Sequence, residues 1–191
     1  MPEPEEHEFI RKAARGDSGA FRMLVSQNQS ILYAVAYRFL GNAEDAEDVV
    51  QEVFIKLWKN LNQYRVEVKL STWLYKMTVN HCLDVLKSAQ RRRQNTHVDI
   101  VEQVNIKANT ADQAVHAQEL HVLVQEAASG LTPKQKAVFI LRDLEGLPAE
   151  EVGRILSMSP QNIKSNLYYA RQQVCERLKM IYQTTDKITT L

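Results

Sequence analysis

Residues 149–180 read AEEVGRILSMSPQNIKSNLYYARQQVCERLKM, and this stretch decides the architecture of the second half of the chain. The pattern predicts a short helix over 149–156, a turn over 157–159 and a second helix from Pro160 to about residue 180. Ile163, Leu167 and Ala170 would pack against the short helix, and Gly153 is small enough for a close crossing. This order predicts a helix–turn–helix, which places the first residues of its second helix in a DNA major groove.

The outward face of that second helix carries side chains that contact bases and phosphates in other proteins. These side chains are Gln161, Asn162, Lys164, Ser165, Tyr168 and Arg171. A plain helical hairpin is the alternative, because many such turns hold a glycine where this chain has Ser157. The pattern therefore favours DNA binding.

The whole chain has 191 residues with a net charge of +1, 6 Gly and 5 Pro, which favours long helices over strands. The near-zero net charge hides basic segments at 61–95 and 131–183 and acidic segments at 1–60 and 96–130. Basic surfaces suit phosphate backbones. No apolar run approaches the roughly 20 residues that span a bilayer, and the acidic start is unlike a signal peptide. A cytoplasmic protein without membrane insertion is expected.

Helical periodicity also dominates residues 8–90 and predicts a four-helix unit. Asp17 or Ser18 is a plausible N-cap, and Gly41-Asn42 is a helix stop. The helix over 44–58 has an apolar face opposite five carboxylates, which would meet a basic protein or, more simply, complement the helix dipole.

The last helix of this unit, predicted from Thr72 to about residue 92, has a polar and aromatic face that includes Thr72, Trp73 and Tyr75. Rings, cations and an amide in this arrangement suit unstacked single-stranded bases. A solvated helix face is the alternative.

Residues 94–115 lack sustained periodicity and predict a linker. The domain organisation is then 1–93, a linker over 94–115, a second domain over 116–183 and a disordered tail over 184–191. The linker has too little apolar surface to offset its ordering entropy, so the two domains are expected to fold separately and to move relative to each other.

Enzymatic functions find little support. Two distant cysteines cannot form a disulfide framework, and the five histidines show no metal-binding spacing. Phosphate-binding glycine loops and a nucleophile elbow are absent from the sequence. His81 and Cys82 are expected in the core. No catalytic residue, metal or cofactor is predicted.

Three segments together resemble the bacterial extracytoplasmic-function (ECF) sigma factors of the sigma-70 family. They are GNAEDAEDVVQEVFIKLW (41–58), STWLYKMTVNHCLDVLKSAQRRR (71–93) and the stretch 131–178 around the helix–turn–helix. The resemblance covers nearly the whole chain in order. It implies an all-α fold with two small helical domains, a region 2 bundle and a region 4 helix–turn–helix, joined by a flexible linker.

The resemblance also implies a role for each surface. Core RNA polymerase would dock on Asp45, Asp48, Gln51, Glu52, Phe54, Ile55 and Trp58. The promoter −10 element would be melted and read by Arg65, Lys69, Trp73, Lys76, Asn80, Asp84, Arg91 and Arg92. The −35 element would be read by Gln161, Asn162, Lys164, Ser165, Tyr168, Tyr169 and Arg171.

The implied partners are core RNA polymerase, through its β′ clamp helices and β flap, promoter DNA and an anti-sigma factor. The resulting hypothesis is an alternative sigma factor, without catalytic activity, that directs promoter-specific transcription initiation. A free-standing two-domain regulator is the competing hypothesis. The acidic helix beside a basic, aromatic helix favours the sigma factor.

Overall fold

The computed structural model describes residues 4–64, 68–96 and 123–189, with only the backbone given for 4–6, 90, 92–96 and 184–189. The first block, residues 4–96, contains four helices. These are α1 (Pro4–Ala14), α2 (Ser18–Leu40), α3 (Ala43–Asn60) and α4 (Leu70–Thr96), with a short 3-10 turn at Leu61–Gln63.

Local signals set the helix ends in this block. The Asp17 carboxylate accepts hydrogen bonds from the backbone N–H groups of Gly19 and Ala20, so Asp17 is the N-cap of α2. Gly41 ends α2 in the left-handed region at φ 72°, and the Asn42 side chain then caps α3. The predicted cap and stop are confirmed.

The regular elements of the second block, residues 123–189, are also all helical. It begins with helical residues 123–127 and a 3-10 turn at Ala128–Gly130. The helices that follow are α5 (Pro133–Phe139), which continues into a π-helical turn at Ile140–Leu144, then α6 (Ala149–Leu156) and α7 (Pro160–Thr189). Strands are absent from the described ranges, so the predicted all-α fold is confirmed.

Two predicted boundaries change. Helix α4 runs to Thr96, beyond the predicted start of the linker at residue 94. Helix α7 runs to Thr189, beyond the predicted end of the second domain at residue 183. No proline or glycine interrupts the chain after Pro160, and the helix continues. The remainder of the predicted linker, 97–115, and residues 190–191 lie outside the described residues.

The two blocks share one hydrophobic core, contrary to the expectation of separate packing. Leu24, Phe39 and Leu74 of the first block belong to the same buried cluster as Leu141 and Ile155 of the second. Helices α5 and α6 are short and carry apolar side chains on two sides. Both helices pack against α7, and α6 also packs against α4 of the first block. Ala137 and Val138 of α5 belong to the same buried cluster. The two blocks pack together because α7 covers only part of the apolar surface of the second block, and the first block covers the rest.

Candidate nucleic-acid interface

The face of α4 predicted to bind single-stranded DNA combines a half-buried ring with exposed polar side chains. The Trp73 ring lies 5.8 Å from the Tyr64 ring, centroid to centroid, and the Tyr64 hydroxyl donates to the carbonyl of Val68 at 2.6 Å. The exposed members are Lys69, Lys76, Asn80, Asp84 and Arg91. Arg92 lies on the same helix, and Arg65 lies outside the described residues. The structure therefore places the Tyr64–Trp73 ring pair near the start of α4, with exposed cations and one amide before and along this helix.

Two side chains predicted on this open face are instead buried. Thr72 is 5% exposed, and its hydroxyl donates to Glu151 Oε1 at 2.8 Å. Tyr75 is also buried, and its hydroxyl donates to Glu145 Oε2 at 3.4 Å. Burial and the neighbouring Glu145 carboxylate raise the pKa of Tyr75 to about 12. Both side chains are buried because the second block packs onto the amino-terminal end of α4.

His81 and Cys82 occupy different environments. Cys82 is fully buried in the core, as predicted, and burial raises the pKa of its thiol to about 12. His81 is half-buried rather than in the core, and its Nδ1 lies 3.0 Å from Lys56 Nζ. Partial burial and the Lys56 charge lower the pKa of His81. A thiol that stays protonated at neutral pH is a poor nucleophile, so these neighbours do not form a catalytic pair.

The predicted polymerase-docking residues lie on α3. Those that the structure leaves exposed are Asp45, Asp48, Gln51, Glu52, Ile55 and Trp58. Phe54 is the exception: it is 8% exposed and its ring packs edge-on against Phe21, so it supports α3 from inside and offers no docking surface.

A groove of about 480 Å³ runs between α3 and α4 beside these docking residues. Three carboxylates of α3, Asp45, Asp48 and Glu52, line it together with Ile55. His81 of α4 faces them across the groove. An acidic groove that is partly lined by apolar side chains suits a basic protein better than a nucleic acid, because its carboxylates repel phosphates.

The helix–turn–helix of the second block is confirmed in detail. Ser157 ends α6 in the left-handed region at φ 53°, the conformation for which most such turns use glycine. A Cβ on Gly153 would lie 3.1 Å from the Met158 carbonyl oxygen and 3.4 Å from Ile163 Cδ1, closer than ordinary van der Waals contact, so the absence of a side chain at Gly153 favours the close crossing. Ile163, Leu167 and Ala170 are buried as predicted.

The outward face of α7 is open to solvent. All seven side chains predicted to read the −35 element are exposed, namely Gln161, Asn162, Lys164, Ser165, Tyr168, Tyr169 and Arg171. The rings of Tyr168 and Tyr169 meet edge to face with their centroids 5.5 Å apart, and Gln172 donates to the Tyr168 hydroxyl at 2.9 Å. The first three turns of α7 therefore present a continuous polar and aromatic surface.

Arg171 is already paired within the chain. Its Nε and Nη2 donate to the two carboxylate oxygens of Asp143 at 2.7 and 2.6 Å. This bidentate pair raises the pKa of Arg171. Any phosphate that binds Arg171 has to compete with Asp143.

Sequence reasoning missed the acidic residues that contact the two predicted DNA-reading helices. Asp143 contacts α7, whereas Glu145 and Glu151 contact α4. Asp143 and Glu145 flank the end of the π-helical turn, and their contacts depend on tertiary packing. The sequence shows only that two acidic residues precede Gly146. That pattern predicts a polar turn and does not identify the helices that the two carboxylates contact.

The described ranges show neither a membrane span nor a metal site. None of their helices is both long and apolar enough to cross a membrane. Within the same ranges, no three His, Cys, Asp or Glu side chains come together in a way that could hold a metal ion.

Comparison with known families assigns both blocks. Residues 24–92 match the sigma-70 region 2 model, and residues 121–174 match the sigma-70 region 4 model. Together the two matches cover well over half of the chain.

Curated relatives agree with these matches. The ECF RNA polymerase sigma factor SigE of Mycolicibacterium smegmatis is 32% identical over 86% of this chain, which spans 65% of the length of that relative. SigW of Bacillus subtilis is 26% identical over 89% of this chain and 95% of its own length. The ECF sigma-E factor of Escherichia coli K12 is 27% identical over 90% of this chain and 93% of its own length.

Two solved structures share the fold. CnrH, solved in complex with the cytosolic domain of CnrY, aligns with a TM-score of 0.68 at 19% identity, covering 92% of this chain and 97% of that chain. The sigma factor RpoE of Bartonella quintana was solved with the anti-sigma factor NepR. It aligns with a TM-score of 0.66 at 23% identity, covering 83% of this chain and 96% of that chain.

The chain belongs to the sigma-70 family, and within that family to the ECF RNA polymerase sigma factors. Proteins of this family bind core RNA polymerase and direct promoter-specific transcription initiation, and they are not enzymes. The family, fold class and general function predicted from the sequence are confirmed.

Proposed function

We propose that this sigma factor reads a duplex −35 element with α7 and a single-stranded −10 element with α4. The observation that carries the proposal is the amino-terminal half of α7, where seven exposed side chains stand over three buried apolar ones in a helix–turn–helix. Gln161, Asn162 and Ser165 have donors and acceptors for base edges, whereas Lys164 and Arg171 suit phosphates. Tyr168 and Tyr169 would contact the sugar–phosphate backbone or thymine methyl groups.

For α4, Trp73 and the segment 69–73 would hold a flipped base, and Asn80 would pair with a base edge. Lys76 and Arg91 lie along the same helix and would bind the phosphates of the strand, together with Arg92. A ring that stacks, an amide that reads and cations that hold the backbone are the parts that single-strand recognition needs. Asp84 would discriminate by accepting from a cytosine amino group.

Docking on core polymerase is assigned to the exposed face of α3. Its carboxylates, Asp48 and Glu52 above all, would meet basic side chains of the β′ clamp helices, while Ile55 and Trp58 supply apolar contact. Charge complementarity of this kind speeds encounter and suppresses wrong partners. The second block would contact the β flap.

An anti-sigma factor and a cytoplasmic location complete the proposal. CnrH and the Bartonella RpoE were both solved with a bound protein, CnrY and NepR. We extend a partner of that class to this chain, which would act in the cytoplasm, where core polymerase and promoter DNA are found. No metal or cofactor is proposed.

The decisive experiment is reconstitution with core polymerase. The wild-type chain should co-migrate with core in gel filtration and support run-off transcription from a promoter. The double variant Asp48→Lys with Glu52→Lys should lose both, because like charges placed together at an interface cost several kcal/mol. A free-standing regulator would bind duplex DNA by itself and would not support initiation by core.

Glu47→Lys is the matched control. Glu47 lies on the same helix but lines a different groove, between α2 and α3, with Tyr33 and Val50. This variant should keep core binding. If the double variant still co-migrates with core at moderate salt, the acidic face of α3 is ordinary solvated surface.

A further inference from the structure

The groove between α3 and α4 has a second wall, which the predicted docking residues do not include. His81, Val85 and Ser88 of α4 line it opposite the carboxylates of α3. Ser88 is exposed, and its hydroxyl donates to the Val85 carbonyl of its own helix at 2.8 Å. A partner side chain that enters this groove therefore meets α4 as well as α3.

The α3 wall carries three carboxylates close to apolar side chains. The carboxylates belong to Asp45, Asp48 and Glu52, and Val49 and Ile55 lie on the same wall. Among the residues that the structure describes, no lysine or arginine forms an ion pair with any of the three. A long cationic side chain suits such a wall, because its methylene groups contact the apolar positions while its charge meets the carboxylates.

Lys56 is the first cationic residue after these carboxylates on α3, and His81 holds its ammonium group. Lys56 Nζ lies 3.0 Å from His81 Nδ1. An ammonium group can only donate, so Nδ1 accepts the hydrogen bond, which requires a neutral imidazole with its proton on Nε2. Glu52 precedes Lys56 by one helical turn, the spacing at which glutamate and lysine on one helix commonly pair. In the described part of the chain, Lys56 instead contacts His81 and forms no ion pair with Glu52.

Charged groups of both helices face His81. They are Lys56 and Glu52 of α3, Asp84 of α4, and Asp45 and Asp48 across the groove. The charges that α2 and the second block bring to α4 act at Tyr75, nearer the start of that helix. Partial burial and the Lys56 charge lower the pKa of His81 below its ordinary value of 6.5, and Glu52 and Asp84 oppose this shift. His81 is therefore mainly neutral at pH 7, in agreement with the hydrogen bond that it accepts.

Protonation of His81 changes the groove in two ways. An imidazolium cannot accept a hydrogen bond and repels Lys56, so the ammonium group is released and can pair with Glu52. The imidazolium also adds a positive charge opposite the α3 carboxylates. Both changes weaken the attraction of the groove for a cation that comes from a partner.

We propose that His81 is a positioning residue for polymerase docking. While it is neutral, it holds Lys56 away from Glu52, and the groove stays open to a cationic side chain of core RNA polymerase. Docking therefore weakens as His81 binds a proton. This inference rests on the proposed docking of core polymerase on α3, and it extends that surface to α4. By linkage, a docked cation makes His81 harder to protonate, so the loss of affinity continues below the pKa of the free chain.

Affinity for core polymerase as a function of pH tests this role. Core polymerase is immobilised on a biosensor, and the unlabelled wild type and His81→Gln are titrated over it from pH 8 to pH 5. Glutamine can still accept the Lys56 hydrogen bond but does not titrate, so any pH response of core itself cancels in the ratio of the two dissociation constants. The two should bind alike at pH 8. At pH 5 the wild type should bind about fivefold more weakly, the size of one charge–charge interaction at about 4 Å in water.

Two further variants separate this role from a general effect of pH. Lys56→Gln removes the ammonium group that would move to Glu52. Its loss of affinity between pH 8 and pH 5, measured against His81→Gln, should be only about twofold, the part that the imidazolium charge contributes. His7→Gln is the matched control, because His7 lies on α1 and does not line the groove. It should follow the wild-type curve at every pH, and circular dichroism checks that all four chains stay helical.

The outcomes distinguish the role of His81 from the docking surface itself. A constant ratio between the wild type and His81→Gln, or an equal departure from the wild type in His7→Gln, overturns the role of His81. A fivefold loss that persists in Lys56→Gln overturns the part assigned to Lys56. If docking on α3 is wrong, the double variant Asp48→Lys with Glu52→Lys instead binds core at pH 8, where His81 is neutral.

Discussion

The two helices that carry the proposed DNA-reading residues differ in how far they are open. The first turns of α7 present Gln161, Lys164 and Tyr168 to solvent, over a packed helix–turn–helix. The first turns of α4 are covered, and Thr72 and Tyr75 are buried against the second block. The surface proposed to read duplex DNA is thus already exposed, whereas the start of the surface proposed to read a single strand is covered. This difference fits initiation, in which duplex DNA is bound before its strands separate.

Of the substitutions that test this difference between α7 and α4, Gly153→Val is expected to have the largest effect. A Cβ at this position already lies closer than ordinary contact to the Met158 carbonyl and Ile163, and the two methyl groups of valine add to the crowding, so the substitution should destabilise the second block by about 1–3 kcal/mol. Urea unfolding measures the loss. Run-off transcription should then lose its dependence on the −35 element before its dependence on the −10 element.

Ala149→Val is the control for Gly153→Val, because Ala149 is exposed on the same helix and gains the same branched side chain. Ala149→Val should lower the free energy of unfolding much less than Gly153→Val does. Equal losses in the two variants would mean that helix propensity, and not the close crossing, sets the stability of α6.

A smaller effect is expected from Asp143→Asn, which frees Arg171. The pair is mostly exposed on its arginine side, at 60%, so its contribution should stay below about 1 kcal/mol. Affinity for a pool of random-sequence duplexes should rise severalfold, and its salt dependence should steepen by about one phosphate contact. Glu150→Gln should leave both unchanged. A decrease in duplex affinity on Asp143→Asn would show that Asp143 positions Arg171 for DNA rather than competing with it.

The smallest effect concerns His81 on α4. Its pKa in the folded chain is lower than the ordinary value of 6.5, because of burial and the charge of Lys56, with Glu52 and Asp84 opposing. As pH falls below 6.5 the unfolded chain binds the proton first, so the free energy of unfolding decreases down to the folded pKa. His81→Gln should remove this part of the decrease between pH 7 and pH 5, as measured by urea unfolding at each pH. An identical pH profile for both proteins would contradict the lowered pKa.

Local signals allowed much of the fold to be predicted. The Asp17 cap, the Gly41 stop and the turn at 157–159 depend on residues within a few positions of one another, so sequence pattern reveals them. The helix–turn–helix packing of Ile163, Leu167 and Ala170 follows from helical periodicity and is confirmed.

Long-range contacts explain what the sequence could not provide. Thr72 and Tyr75 were predicted on an open face, but their partners Glu151 and Glu145 lie 79 and 70 residues away. The periodicity of α4 holds no information about them. Phe54 fits both the apolar face of α3 and a docking surface, and only packing against Phe21 decides between the two. The π-helical turn that aims Glu145 has no composition signature.

The division of labour between α4 and α7 is tested most directly by transcription from a promoter library randomised at both elements. Core polymerase would be combined with the wild type, Asn80→Ala or Gln161→Ala, and Arg91→Ala serves as the phosphate-contact control. Loss of a base-edge contact is worth about 1–3 kcal/mol of discrimination at one position. Asn80→Ala should relax preference only within the −10 element, Gln161→Ala only within the −35 element, and Arg91→Ala should lower all promoters alike. If Asn80→Ala changes −35 preference, or scales every promoter equally, α4 does not read the −10 element.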